Sequence, residues 1–271
     1  MDTCDFLIIG GGIIGISIAR ELKRRHPHAT LLLIEKEEGY GLHASGRNSG
    51  VLHAGFYYTA DSFKAKFTQT GNQRLTEYCE SRNIPVNKCG KLVVAQNESE
   101  LSQLDELMVR AKNNNVPLNY ITEEEAKAIE PRVKTFERAL FSPTTSSVNP
   151  SQVVQAMRDD ASQEGLKLQS GVRYLRRKGK GTVKTSQGNI EFGYMVNAAG
   201  LYADKIAQDF GFSRDYRILP FKGLYLYSNE PAGAFQTNIY PVPDLRNPFL
   251  GVHFTVTAEG KVKIGPTAIP A

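Results

Sequence analysis

The sequence predicts an α/β fold in two parts, a nucleotide-binding unit with a parallel sheet and a separate antiparallel sheet. Three observations predict it. Residues 6–9 (FLII) form a short apolar run, followed by G-x-G-x-x-G at Gly10, Gly12 and Gly15 and a helical pattern that stops before Pro27. Residues 30–34 form a second apolar run that ends on Glu35. From Arg214 onward the pattern changes to strands alone, as a separate antiparallel layer requires.

The first two observations make a strand–turn–helix–strand–acid unit about thirty residues long, the signature of a dinucleotide-binding βαβ. Gly10 permits the tight turn out of the strand, Gly12 lets a pyrophosphate approach the backbone, and Gly15 lets the helix pack close to the sheet. Ile13 and Ile14 open that helix, whose N-terminal amides and dipole suit phosphate. Glu35 is placed to accept hydrogen bonds from ribose hydroxyls and to repel a 2′-phosphate. Lys36 follows it.

The remaining elements follow from local signals. Residues 43–58 (HASGRNSGVLHAGFYY) are too glycine-rich for a helix and offer many donors to an anion. Residues 62–82 read as an amphipathic helix ended by Pro85. A strand is expected at 92–95 and a helix at 98–112. Thr122 with Glu125 makes a capping box for a short helix, and 138–141 is a strand. Asn149 and Pro150 open a helix to about 163. Strands are expected at 166–174, in a hairpin over 181–192, and at 194–198, where Ala198, Ala199 and Gly200 would let a ligand come close. The last part carries strands at 218–227, 239–241, 249–256 and 261–264. These patterns divide the chain into a nucleotide-binding domain (1–82 and 145–213) and a second domain (83–144 and 214–271).

Composition bounds the function. The chain has 271 residues, 41% hydrophobic and 23% charged, as an ordinary globular protein has. The net charge of +5 is spread along the chain, and the one dense run, residues 175–180 (LRRKGK), reads as a solvated β-turn, so no nucleic-acid partner is expected. A mildly basic balance suits an anionic cofactor and an acidic substrate. The three cysteines include no C-x-x-C pair, which predicts a reducing compartment, no disulfide framework and no metal site. The N-terminus lacks the basic start of a signal peptide, and no segment approaches the length of a membrane span. Localisation is therefore expected to be cytoplasmic.

The βαβ start followed by SGRNSGVLHAGFYY resembles the D-amino-acid-oxidase-type flavoproteins, and within them the L-2-hydroxyglutarate dehydrogenase/oxidase family. Residues 88–94 (KCGKLVV), 196–204 (VNAAGLYAD), 217–223 (RILPFKG), 238–244 (NIYPVPD) and 248–254 (PFLGVHF) follow in that family's order. The resemblance implies FAD as cofactor and oxidation of a small 2-hydroxy acid, with an amino-acid oxidase or a non-catalytic nucleotide-binding fragment as alternatives. It implies an electron acceptor, with oxygen, a quinone and an electron-transfer protein all open, and leaves room for peripheral association with the inner membrane. In that family a further stretch follows Gly265-Pro266 and returns to the nucleotide domain, so the chain resembles roughly the first two thirds of such an enzyme.

For FAD the resemblance carries over Gly10, Gly12, Gly15 and Glu35. It also implies Ser45, Gly46, Arg47, Asn48, Ser49 and His53 along the phosphates, ribityl chain and ring, the Val172 backbone at adenine, and residues 198–200 beside the ribityl chain. Oxidising a hydroxy acid needs a base near working pH, which favours histidine. Of five histidines, His53 and His253 are the candidates. A dicarboxylate needs cations, for which Arg217, Lys222 and Arg246 are candidates, and Tyr57, Tyr58, Tyr225 and Tyr240 could orient it.

Overall fold

The computed structural model describes residues 2–244 and 251–271. The chain divides into two compact units, Met1–Asn48 with Pro150–Pro220, and Ser49–Asn149 with Phe221–Ala271. In chain order the first unit contributes β1 (Asp2–Ile9), α1 (Ile13–Arg25) and β2 (Leu31–Ile34). The second contributes β3 (Val51–Leu52), α2 (Phe63–Ser81), β4 (Val86–Asn87), β5 (Lys91–Val94), α3 (Leu101–Asn113), β6 (Asn119–Thr122), α4 (Glu123–Ile129), β7 (Arg138–Ser142) and β8 (Ser146–Val148). The first unit resumes with α5 (Pro150–Gln163), β9 (Lys167–Gln169), β10 (Tyr174–Arg177), β11 (Thr182–Thr185), β12 (Gly188–Asn197) and α6 (Ala203–Asp209). The second ends with β13 (Phe221–Lys222), β14 (Leu226–Tyr227), β15 (Asn238–Pro241), β16 (His253–Val256), β17 (Val262–Gly265) and β18 (Ile269–Pro270).

The first unit is a six-stranded sheet in the order β10-β11-β12-β1-β2-β9. Strands β12, β1, β2 and β9 run parallel. Alternate side chains serve opposite faces, as a strand's two-residue period dictates. Ile8, Leu31 and Leu33 pack with Ile16 and Ala19 of α1 and Val154 and Ala161 of α5. Leu7, Ile9, Leu32 and Ile34 pack with Val183, Ile190 and Ile206 on the other face. Residues 188–197 form one strand, where a hairpin arm and a separate buried strand were expected. Gly193 keeps the ladder unbroken, because a Cβ there would stand 2.9 Å from the Asp5 carbonyl oxygen. The LRRKGK turn begins instead on strand β10, and the expected strand over 166–174 is reduced to β9, with Tyr174 opening β10.

The second unit centres on a seven-stranded sheet in the order β14-β17-β16-β15-β5-β7-β6. It is mixed rather than purely antiparallel, because β15 lies parallel to β5, with Asn238 opposite Lys91 and Tyr240 opposite Val93. Buried Asn238 ties this centre together, donating to the Gly90 carbonyl (2.8 Å) and accepting from the Val256 amide (2.9 Å). The expected strand over 218–227 is instead two short pieces, β13 paired with β18 and β14 with β17, separated by residues 223–225. The start of the strand expected at 249–256 falls partly outside the described residues. Helix α3 buries Leu104 and Leu107 against Phe56, Val93 and Leu140. The capping box on α4 forms: Glu125 N donates to Thr122 Oγ1 (3.2 Å) and Thr122 N to Glu125 Oε2 (2.8 Å).

The unit boundaries fall at 48/49, 149/150 and 220/221, not at 82/83, 144/145 and 213/214. Helix α2 belongs to the second unit because Asn72 Nδ2 donates to the carbonyls of Leu52 (2.9 Å), His53 (3.3 Å) and Thr144 (3.2 Å). Among the described residues no helix is long and apolar enough to cross a membrane.

Candidate functional site

In the first unit a cavity of about 820 Å³ opens at the carboxyl ends of β1, β2 and β12. Its walls include Gly10, Gly12, Ile14, Glu35, Ser45 and Val172, and residues 198–200 close another side. Gly10 leaves β1 at φ +115°, and a Cβ there would stand 2.3 Å from the Ala198 carbonyl oxygen. A Cβ on Gly15 would stand 1.9 Å from the Gly10 carbonyl oxygen, so α1 reaches its position only with glycine there. Gly12 caps α1 without a side chain, Ile13 N donates to Ser45 Oγ (2.9 Å), and the helix start faces the cavity as an anion site does.

Glu35 differs from its expected role. Its carboxylate is buried and braces the turn, Oε2 accepting from Gly11 N (2.7 Å) and Oε1 from Glu37 N (3.0 Å). Each oxygen keeps a further lone pair for a ribose hydroxyl. Lys36 pairs with Glu37 and lies 3.1 Å from His43 Nε2. Lys36 first, and then His43, hold the Glu37 carboxyl down at about 2. The Val172 amide donates to the Glu35 carbonyl (2.8 Å), which sets that residue against the cavity.

The structure does not bring all of the loop residues to this cavity. Ser45 lines it, while Gly46, Arg47, Asn48 and Ser49 are not among its walls. Asn48 Nδ2 folds back onto the carbonyls of Ala44 (3.1 Å) and Ser45 (2.9 Å), Arg47 is exposed, and Ser49 falls in the second unit. Sequence reasoning missed Leu175, Arg176 and Tyr202, which line the cavity. The dense charge of LRRKGK concealed the first two, and Tyr202 carried no signal beyond following Gly200.

The second unit gathers His53, Tyr57, Tyr240 and His253. Tyr240 and His253 stack with centroids 3.7 Å apart at 21°, and His53 meets Tyr240 edge-on at 6.3 Å and 80°. Both Tyr240 and His253 are buried, whereas His53 is enclosed by protein but keeps part of its surface open. Desolvation lowers His53 to about 3, with Lys91 and His253 adding to it. Desolvation likewise lowers His253 to about 4, opposed by its bond to the Gly251 carbonyl and reinforced by Lys91 and Lys263. That bond, Nδ1 to Gly251 O at 2.8 Å, decides the tautomer. A carbonyl only accepts, so in the neutral ring Nδ1 carries the proton and Nε2 keeps the lone pair.

Lys91 lies at the centre of this group and was missed as a functional residue. Its Nζ is buried without a hydrogen-bond partner among the described residues, 4.4–4.8 Å from the ring centres of Tyr57, Phe56 and Tyr240. Burial holds its ammonium down at about 7. Its signal was a lysine opening an otherwise apolar strand. The substrate cations fare differently: Arg217 is exposed in the first unit, Lys222 is exposed on β13, and Arg246 lies outside the described residues.

Residues 5–271 match the family model described as FAD dependent oxidoreductase, DAO. The protein named L-2-hydroxyglutarate dehydrogenase, mitochondrial, of Nematostella vectensis is 40% identical over 286 residues, covering 98% of this chain and 62% of its own. The Homo sapiens protein of that name is 37% identical over 98% of this chain and 61% of its own. An Escherichia coli L-2-hydroxyglutarate dehydrogenase is 36% identical over 98% of this chain and 64% of its own. The chain thus spans about three fifths of the length of these curated relatives. Among solved structures, L-alpha-glycerophosphate oxidase from Mycoplasma pneumoniae with FAD bound superposes with a TM-score of 0.85 at 24% identity over 99% of this chain and 72% of that one. Glycine oxidase from Geobacillus kaustophilus gives 0.85 at 22% over 100% and 73%. At such identities these two share the fold.

Proposed function

Because this chain belongs to the FAD dependent oxidoreductase family, we propose that it serves the oxidation of L-2-hydroxyglutarate, or a close 2-hydroxy acid, to the 2-oxo acid with FAD as cofactor. The observation that carries this reading is the identity of 36–40% across 98% of the chain with proteins named L-2-hydroxyglutarate dehydrogenase. The residues of the first unit fit FAD: a glycine turn with no room for side chains at Gly10 and Gly15, a helix start that faces the cavity, and cavity walls that include Glu35 and Lys36.

FAD, when bound, supplies the acceptor for the hydride leaving the substrate's Cα. The turn from Gly10 to Gly15 and the start of α1 would hold the diphosphate, and Glu35 would take the ribose hydroxyls on its spare lone pairs. Residues 198–200 would stand beside the ribityl chain. The neutral His53 or His253 takes the hydroxyl proton, His253 at Nε2. Tyr240 holds the His253 ring flat by stacking. The electron acceptor is a quinone, an electron-transfer protein or oxygen, and the site of action is the cytoplasm or the periphery of the inner membrane.

The test is an absorption spectrum of the purified chain, followed by an anaerobic substrate panel. A flavin spectrum bleached by L-2-hydroxyglutarate supports the reading. Bleaching by glycine or a D-amino acid instead, or the absence of flavin after reconstitution, overturns it.

A further inference from the structure

The geometry points to Lys91 as a positioning residue of the proton-accepting site, a buried cation that disfavours protonation of His53 and His253 and so favours the neutral form a base requires. This rests on the proposed oxidation only for the identity of the reaction that uses the base.

A buried ammonium is costly unless it is paired. Among the described residues no carboxylate pairs with Lys91 and no acceptor binds its Nζ. What surrounds it are the faces of Phe56, Tyr57 and Tyr240, whose negative ring faces recover part of the lost hydration. A methionine would fill the same box without that cost, so packing alone does not account for a lysine.

Among the described residues, the groups facing this cluster are neutral or positive. From the loop after β3 come His53 and Tyr57, from β15 Tyr240, from β16 His253, and from β17 Lys263, while Tyr225 and Cys89 face Tyr240. Both histidines feel the Lys91 charge. Protonating either would place a second cation beside the first in a poorly solvated setting. Box and strand register hold Lys91 in place, since β5 is paired on both edges, to β15 and β7.

The experiment is a histidine titration by NMR on the full chain with labelled histidine, without flavin or substrate. His53→Gln and His253→Gln spectra assign the two signals. In the wild-type chain both rings stay neutral well below the ordinary histidine range, and both signals show a second, smaller inflection near pH 7 as Lys91 discharges. In Lys91→Met that inflection vanishes and both protonation midpoints rise by on the order of one pH unit. Lys91→Arg keeps the low midpoints and loses the inflection. Wild-type midpoints within the ordinary histidine range overturn the proposal without any variant having to fold, as do unchanged midpoints in a folded Lys91→Met chain.

With flavin and L-2-hydroxyglutarate present, the acid limb of flavin reduction moves up in Lys91→Met together with the midpoints. Midpoints that move while that limb stays overturn the assignment of this pair as the base. Midpoints that move while L-2-hydroxyglutarate reduces no flavin uphold the electrostatic role of Lys91 and remove the substrate reading alone.

Discussion

Gly10 and Gly15 set the tolerance of the cofactor cradle. A methyl group at Gly10 meets the Ala198 carbonyl at 2.3 Å and demands a positive φ. Gly10→Ala is expected to destabilise by about 1–3 kcal/mol and to lower flavin content roughly tenfold or more, as urea unfolding and the flavin absorbance would record. His253→Ala is expected to slow flavin reduction by roughly a hundredfold or more, measured by anaerobic stopped flow. The histidines also predict how stability depends on pH. Both titrate below 6.5 in the fold, to about 4 for His253 and about 3 for His53. Above 6.5 neither state binds a proton and the pair is silent. As pH falls from there the unfolded chain protonates first, so stability is withdrawn down to the folded values, by roughly 3 kcal/mol for His253. Urea midpoints between pH 7 and 4 should fall less steeply in His253→Gln. At this scale the sequence disclosed chemistry better than surroundings. Glycine spacing and the acid at Glu35 were legible because they are local. The brace from Glu35 to Gly11 was not, since it joins residues 24 positions apart through a side chain.

Elements with a local cause were read well. The Thr122–Glu125 box follows from short-range hydrogen bonds, and so does the start of α2, where Ser62, not singled out as a cap in the sequence, accepts from Ala65 N at 3.1 Å. Thr122→Ala is expected to lose about 0.5–2 kcal/mol in chemical denaturation. Elements set by long-range partners were read less well. Residues 218–227 have strand composition throughout, yet only those that find β17 and β18 become strand. Strand β5 shows the opposite conflict, since it admits a lysine into a core position. Lys91 titrates near 7 in the fold against 10.5 in an open chain. Between those values only the unfolded chain holds the proton, so wild-type stability rises as pH climbs from 7 to 10.5. Lys91→Met should lack that rise and be roughly 2–4 kcal/mol more stable at pH 7, a gain that guanidinium titrations at two pH values would measure. A more stable variant with a displaced histidine titration would separate the strand's structural duty from its electrostatic one.

For the molecule as a whole, the two-part α/β plan was legible because the change from helix-and-strand to strand alone is visible along the chain. The exchange of segments between units was not, because both units are assembled from two stretches each. The parallel pairing of β15 with β5 belongs to the same class of feature. It joins residues roughly 150 positions apart, and β16 and β17 add only beyond it. During synthesis β5 and β7 leave the ribosome long before the strand that completes them, with the apolar edge of β5 bare meanwhile. A nascent chain halted before residue 238 should therefore recruit hydrophobe-binding chaperones, and release them once the codons for β15 to β17 have been translated.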